Sequence, residues 1–412
     1  MRILIPLFSP PTGTWGSLTR VLAIADAAKE VGHEVAFTAS GPLSERLENL
    51  GWQVFRSPEP SFLGLPGPIS RLVARSAHER SPPIRPGRSF GSIWLVLWFT
   101  GVSSRRFLRR SVAAQLAAVE EFRPDLLFTE IDPGAFVVSR VARIPIACTY
   151  ASVLGVGVGS YPWRRLRDAQ AGILQRHGLQ PVEPQQMMQE KQTLKLVPSI
   201  PDLEQDLPES DDLVYVGSLV RSFRTSAESK FEPEAGKRYV FVYVGTGSVK
   251  LKTLRDVLPR VFPAESETLC LVGSQGVQHE ERLGNVIFRS FWDADGLMPL
   301  CEWVLCHGGH NTIIQALMNG VPLLMFPGPI FERRFNAQMV ASAGAGYFGE
   351  LPQFNEASIF EMMLHRGKCA ARARELGEKI KALRGAPAAI QAMERATKAV
   401  RPKNDDHGHP EF

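Results

Sequence analysis

No apolar run in this sequence reaches the about 20 residues that a membrane-spanning helix needs. The longest covers 93–99, with Gly101-Val102 beyond it. No leader is legible either. Met1-Arg2-Ile3-Leu4-Ile5-Pro6 reads as a short strand that meets Pro6 and then a loop. These two absences give the expectation of a cytoplasmic chain. Cysteine is scarce: five among 412 residues, an odd number on a long chain, argue against a disulfide framework. Cys301, Cys306 and His307 lie close in sequence, but their spacing matches no zinc pattern and Cys306 ends an apolar run. No metal site is therefore expected. Charge of one sign is not abundant. A net charge of +5 is only mildly basic, so nucleic acid is not expected as a partner.

What is present is an alternation of strand and helix. Residues 2–7 read as a strand, 9–16 as a Gly/Pro/Ser/Thr loop, 18–31 as a helix and 34–38 as a second strand. That is a βαβ unit with a parallel sheet, and the class is α/β. The rhythm returns in a helix over 112–122, a strand over 125–128, a helix over 135–142, and strands over 144–149 and 213–216. The stretch 57–106, rich in Pro, Gly, Arg and aromatics, fits no regular period and reads as inserted loops and helices. A second α/β unit begins at Arg238, with strands expected over 239–244, 268–272, 286–288, 303–306 and 322–326 and helices over 370–383 and 387–400.

At 412 residues, two domains are the better expectation. The division is 1–218, a polar linker over 219–237, 238–384, a C-terminal helix over 385–400 that can pack back on the first domain, and a flexible tail over 401–412. Two such domains imply a cleft, with ligands at the carboxyl ends of the strands.

The most informative stretch is Trp303-Val-Leu-Cys-His-Gly-Gly-His-Asn-Thr312 and the run to Pro322. It reads as strand, tight glycine turn, then a helix starting near Asn311. Unpaired N–H groups and the dipole at such a helix start suit phosphate. Gly308 and Gly309 let the backbone approach a ligand, Asn311 and Thr312 add side-chain donors, and His307 can reach a phosphate oxygen. The plain alternative is a strand-to-helix turn in which Asn311 or Thr312 is only a cap.

His307-Gly308-Gly309, Asn311-Thr312, Gly320-Val321-Pro322, Pro327, Asn336-Ala337 and Gly344/Gly346 together resemble the donor-binding signature of family 1, GT-B-fold glycosyltransferases. Gly16, Leu22-Ala23-Ile24-Ala25 and Gly32-His33-Glu34-Val35 are similar to the first βαβ unit of that family. The resemblance spans nearly the whole chain and is specific between about 285 and 346. It implies a GT-B fold, two Rossmann-like domains facing a cleft: an acceptor-binding domain over 1–218 and a nucleotide-sugar-binding domain over 238–384. It implies transfer of a sugar from a UDP- or dTDP-sugar to a hydroxyl of a hydrophobic small-molecule or lipid acceptor, with inversion and with no cofactor beyond that co-substrate. His307, Gly308, Gly309, His310, Asn311 and Thr312 would hold the diphosphate. Trp292 would lie near the base, Glu332 and Arg333 would face the sugar, and Gly245, Thr246, Gly247 and Ser248 would approach the donor from below.

The sequence departs from that pattern in three places. Ser17 stands where the family carries its catalytic His, and a serine hydroxyl does not titrate near pH 7. The carboxylates that could replace it follow the strand at 125–128: Glu130 and Asp132, each of which could instead cap the next helix. Glu332-Arg333 replaces Asp-Gln, with Arg333-Arg334 expected on an exposed loop. Gln315 replaces a ribose-gripping Glu, which permits a deoxyribose without demanding one. The missing His leaves an alternative: a catalytically impaired auxiliary or binding protein on the same fold. The apolar 62–65 and 93–99 segments, followed by Arg105-Arg106 and Arg109-Arg110, read as buried core or as an acceptor pocket with peripheral membrane contact. Monomer and homodimer remain open.

Overall fold

A computed structural model describes residues 1–7, 15–62, 65, 69–70, 91–205, 207–221, 231–245, 248–274 and 276–400, with no side-chain description for 15–17 or 400. The strands are β1 (Arg2–Pro6), β2 (Glu34–Ala39), β3 (Gln53–Arg56), β4 (Leu126–Thr129), β5 (Ile146–Thr149), β6 (Thr193–Val197) and β7 (Leu213–Tyr215), then β8 (Arg238–Tyr243), β9 (Thr268–Gly273), β10 (Glu281–Leu283), β11 (Val286–Arg289), β12 (Cys301–Cys306), β13 (Leu323–Met325) and β14 (Gly346–Phe348). Among the described residues they form two sheets. The first runs β3-β2-β1-β4-β5-β6-β7, parallel throughout. The second runs β10-β11-β9-β8-β12-β13-β14, parallel except for the β10–β11 hairpin. These are the two Rossmann-like sheets of a GT-B fold.

The helices are α1 (Trp15–Glu30), α2 (Gly41–Asn49), α3 (Ile93–Phe99), α4 (Arg105–Phe122), α5 (Pro133–Ala142), α6 (Tyr161–Arg176), α7 (Pro184–Gln189), α8 (Leu251–Val261), α9 (Ala294–Leu297), α10 (His310–Met318), α11 (Phe331–Ser342), α12 (Glu356–Leu364), α13 (Arg366–Ala382) and α14 (Ala386–Val400). Helices cover both faces of each sheet, so the strands are apolar on both sides. Ile3 and Ile5 face one core, with α1 and α14, while Leu4 faces the other, with α3 to α6. In β8, Tyr239 and Phe241 face one core and Val240 and Val242 the other. Ala389, Ile390 and Met393 of α14 pack against Val21, Leu22 and Ala25 of α1, and Glu394 Oε1 lies 2.8 Å from His33 Nε2.

One expectation needs correction. Arg333 and Arg334 lie on α11, not on an exposed loop. Arg334 is buried, and its guanidinium donates to both oxygens of Glu350. Residues 93–99 agree with the buried-core reading: they form α3, with Trp94 and Leu97 buried. Half of 57–106, part of the 219–237 linker and the 401–412 tail lie outside the described residues. Among the described residues no helix is long and apolar enough to cross a membrane.

Each sheet has one point where the strand order reverses: between β1 and β4 in the first, between β8 and β12 in the second. Chains leave adjacent strands there in opposite directions, opening a crevice at the carboxyl ends. In the first sheet that end is the Thr129–Glu130 junction and the start of α1. In the second it is Tyr243–Gly245 and the His307 turn.

Candidate functional site

The C-terminal wall grows from β12. After Cys306 the chain turns through His307, Gly308 and Gly309 into α10, with Gly309 as N-cap. Gly308 has φ +79°, and a Cβ there would stand 2.5 Å from the Arg333 carbonyl oxygen. Asn336 Nδ2 donates to Gly308 O at 3.0 Å, so α11 clamps the turn from behind. A Cβ on Gly309 would stand 2.6 Å from His307 Nε2, and one on Gly245 3.0 Å from His307 Cε1. The two glycines make room for the His307 ring, which sits 5.6 Å from the Tyr243 ring. Burial holds the His307 pKa down to about 3, the Arg333 charge adds to that, and the Tyr243 carbonyl opposes it. Burial also lowers the Arg333 pKa, against the Glu332 charge.

The N-terminal wall meets this turn directly. Arg20 of α1 donates from Nε to Glu130 Oε1 at 2.6 Å, and its Nη2 pairs with the same oxygen. Its Nη1 donates to Asn311 Oδ1 at 2.9 Å, and Asn311 Nδ2 donates to Thr19 Oγ1 at 2.8 Å. The Arg20 and Glu130 side chains are only 15% and 6% exposed, so the pair is shielded from solvent. Glu130 Oε2 is buried and has no hydrogen-bond partner among the described residues. His310, beside Asn311, has a pKa near 3, lowered by burial and then by the Arg20 charge, with Asn311 and the Pro198 carbonyl opposing.

Asp132 stands apart from this contact. It is the N-cap of α5, accepting from Gly134 N at 2.7 Å and from Gln115 Nε2 at 2.9 Å. Burial raises its pKa to about 6 against those hydrogen bonds. Ser17 lies in the first turn of α1, three residues before Arg20.

The other expected residues fall as follows. Gly245 lies beside His307; Thr246 and Gly247 lie outside the described residues. Ser248 Oγ donates to Phe326 O at 2.6 Å, which ties the loop after β8 to the end of β13. Trp292 is buried, donates from Nε1 to Val272 O at 3.0 Å and carries the Arg289 guanidinium over its ring at 4.2 Å. Its neighbour Phe291 is the exposed aromatic, at 58%. Gln315 Nε2 donates to Asp295 Oδ1. Glu332 is exposed in the first turn of α11, and Thr312 is half-buried in the first turn of α10.

Arg20, Thr19, Tyr243, Phe291 and Asp295 were not singled out from sequence. For Arg20 a signal existed: a cation three residues past Ser17, one helical turn on, lies on the same face of α1. Nothing local marks Asp295 as the partner of Gln315.

Among the described residues no cluster of three His, Cys, Asp or Glu side chains could hold a metal ion. Between α3, α5, α6 and α7, Ile93, Trp94, Leu97, Phe136, Leu166 and Met188 line a small cavity.

Residues 239–399 match the model of the glycosyltransferase family 28 C-terminal domain. The elloramycin glycosyltransferase ElmGT of Streptomyces olivaceus is 34% identical over 96 residues, 23% of this chain and 24% of that protein. The matched segments thus span about a quarter of the curated relatives. Over the whole fold, the crystal structure of the glycotransferase of kitacinnamycin superposes with a TM-score of 0.70 at 16% identity, covering 96% of this chain and 98% of that one. The glycosyltransferase VinC in complex with dTDP superposes with a TM-score of 0.67 at 17% identity, covering 97% and 100%.

Proposed function

We propose that this chain, which carries a glycosyltransferase family 28 C-terminal domain on a GT-B scaffold, is a nucleotide-sugar-dependent glycosyltransferase. It moves a sugar from a UDP- or dTDP-sugar to a hydroxyl of a hydrophobic small-molecule or lipid acceptor, with inversion. The observation that carries this reading is the His307–Asn311 turn at the switch point of the second sheet. Its helix N-terminus presents backbone N–H groups, and the acceptor-side carboxylate Glu130 stands one arginine away. The dTDP in complex with VinC is consistent with a diphosphate there.

In the transfer the acceptor oxygen attacks the anomeric carbon, the bond to the diphosphate breaks, and the acceptor proton passes to a base. The N-terminus of α10 and the Arg333 charge beside His307 stabilise the departing diphosphate. Glu130 is the first candidate for the base, because its Oε2 is buried without a partner near that turn. Asp132 is the second, its two oxygens being engaged by Gly134 and Gln115. Gln315 and Asp295 together offer the ribose an amide and a carboxylate. Phe291 is a surface on which a base could stack. No cofactor beyond the co-substrate is assigned.

A second reading, a catalytically impaired binding protein, draws on Ser17 in place of a base and on the Arg20 pairing that occupies Glu130 Oε1. Titration of UDP and dTDP by calorimetry, followed by donor hydrolysis, tests both. Binding with slow hydrolysis supports the transferase, binding with none supports the auxiliary protein, and no binding at millimolar nucleotide defeats both.

A further inference from the structure

Asn311 is placed to serve the donor diphosphate, yet its side chain is held from the opposite domain: Oδ1 by Arg20 and Nδ2 by Thr19. A guanidinium has five N–H groups. Those of Arg20 make three contacts, two to Glu130 and one to Asn311. The Glu130 pair fixes the plane of the guanidinium, so the remaining N–H groups are held at the α10 N-terminus rather than sampling solvent. At the strand end of the same turn, the Arg333 charge acts on His307. The turn where backbone N–H groups favour an anion is thus contacted by Arg20 through Asn311 and acted on by the Arg333 charge through His307.

We propose that Arg20 is the acceptor-side domain's own ligand to the donor diphosphate: on binding, its guanidinium exchanges Asn311 Oδ1 for a diphosphate oxygen while staying paired with Glu130. This rests on the donor-site reading above and adds to it a phosphate contact from the N-terminal domain. The contact would make donor binding bridge the cleft, with a single residue touching donor and candidate base.

Calorimetric titration of UDP and dTDP into the wild type, Arg20→Gln and the Arg20→Gln/Glu130→Gln double variant tests it, with uridine and thymidine as phosphate-free controls. The double variant leaves no buried carboxylate without its cation, so it reports even where the single variant folds poorly. Both variants should lose about 10- to 100-fold in diphosphate affinity, the usual scale for a hydrogen bond to a charged group. Nucleoside binding should stay within about threefold by the same reasoning. Diphosphate affinity preserved in the folded double variant overturns the proposal, as does an equal loss for nucleoside and diphosphate, which marks a structural role. Failure of the wild type itself to bind either diphosphate removes the donor-site reading and this proposal with it, a result separate from the first two.

Discussion

His307 Nδ1 lies 3.2 Å from the backbone carbonyl oxygen of Tyr243. A carbonyl oxygen only accepts, so the ring proton of neutral His307 sits on Nδ1 and Nε2 carries a lone pair toward Gly309. A lone pair cannot donate to a phosphate oxygen. To bind one while keeping the Tyr243 contact, His307 must gain a second proton, and a nearby dianion favours that gain. With an apo pKa near 3, the ring is neutral at pH 7, so nucleotide diphosphate binding should be accompanied by proton uptake. Affinity for UDP or dTDP should rise as pH falls from 8 to 6. Calorimetry in buffers of different ionisation enthalpy checks this, with His307→Gln subtracting the nucleotide's own titration. Equal proton uptake in wild type and variant would exclude His307.

The two glycines of the turn should fail differently. Gly308→Ala combines φ +79° with a Cβ 2.5 Å from a backbone carbonyl, which cannot move without α11. It should destabilise the fold by about 1–2 kcal/mol or more, visible as a lowered Tm. Gly309→Ala meets the His307 ring first, at 2.6 Å, so the ring must shift while the backbone stays. It should lower diphosphate affinity by about tenfold, the loss of one charge-assisted contact, with a smaller change in Tm. The reverse order of effects on Tm would show that the turn is set by something other than these two contacts.

Acid should weaken the fold, and Asp132 should moderate that. His307 and His310 have folded pKa values near 3, below the ordinary 6.5, so the unfolded chain binds more protons and stability is lost as pH falls below about 6.5. Asp132 has the opposite sign. Its folded pKa of about 6 lies above the ordinary 3.8, so its contribution is fully present below pH 3.8 and is lost as pH rises through 6. Two histidines against one aspartate leave the wild type less stable at pH 5 than at pH 7. Asp132→Asn removes the opposing group, so the drop between pH 7 and pH 5 should grow by roughly 1–2 kcal/mol in urea titrations. A smaller drop in the variant would contradict the burial of Asp132.

The two-sheet architecture was legible because parallel strands buried on both faces leave long apolar runs, as in 2–7 and 239–244. The strand–glycine–helix turn after β12 was legible because glycines between a strand and a helix are a local feature. Tertiary chemistry hid the rest. β6 escaped notice because Lys195 interrupts its apolar pattern. The lysine is buried and paired with Asp212, a partner that periodicity does not show. α11 read as a loop because its first turn is Glu-Arg-Arg, yet the Arg334–Glu350 pair allows that charge to be buried. The contact that joins the two walls pairs residues 291 positions apart, which no spacing rule reaches.

The last expectation concerns the base, and it separates Glu130 from Asp132. The acceptor hydroxyl must lose a proton as it attacks, and a positioned base contributes about 10²–10⁴-fold. Glu130→Gln is the informative change. The amide oxygen can still accept from Arg20 Nε and Nη2, so the arginine stays in place, but the side chain no longer takes up a proton. Turnover on any acceptor the chain takes should therefore fall about 100-fold or more, while the KM for donor stays nearly constant. Arg20→Gln should do the opposite, raising the donor KM first. Asp132→Asn should cost turnover far less, because a capped and enclosed carboxylate has no free oxygen for the acceptor proton. Ser17→Ala should be nearly silent, since serine does not titrate near pH 7. If Asp132→Asn costs more than Glu130→Gln, the two roles are exchanged. If both variants keep full turnover, the proton goes elsewhere and neither carboxylate is the base.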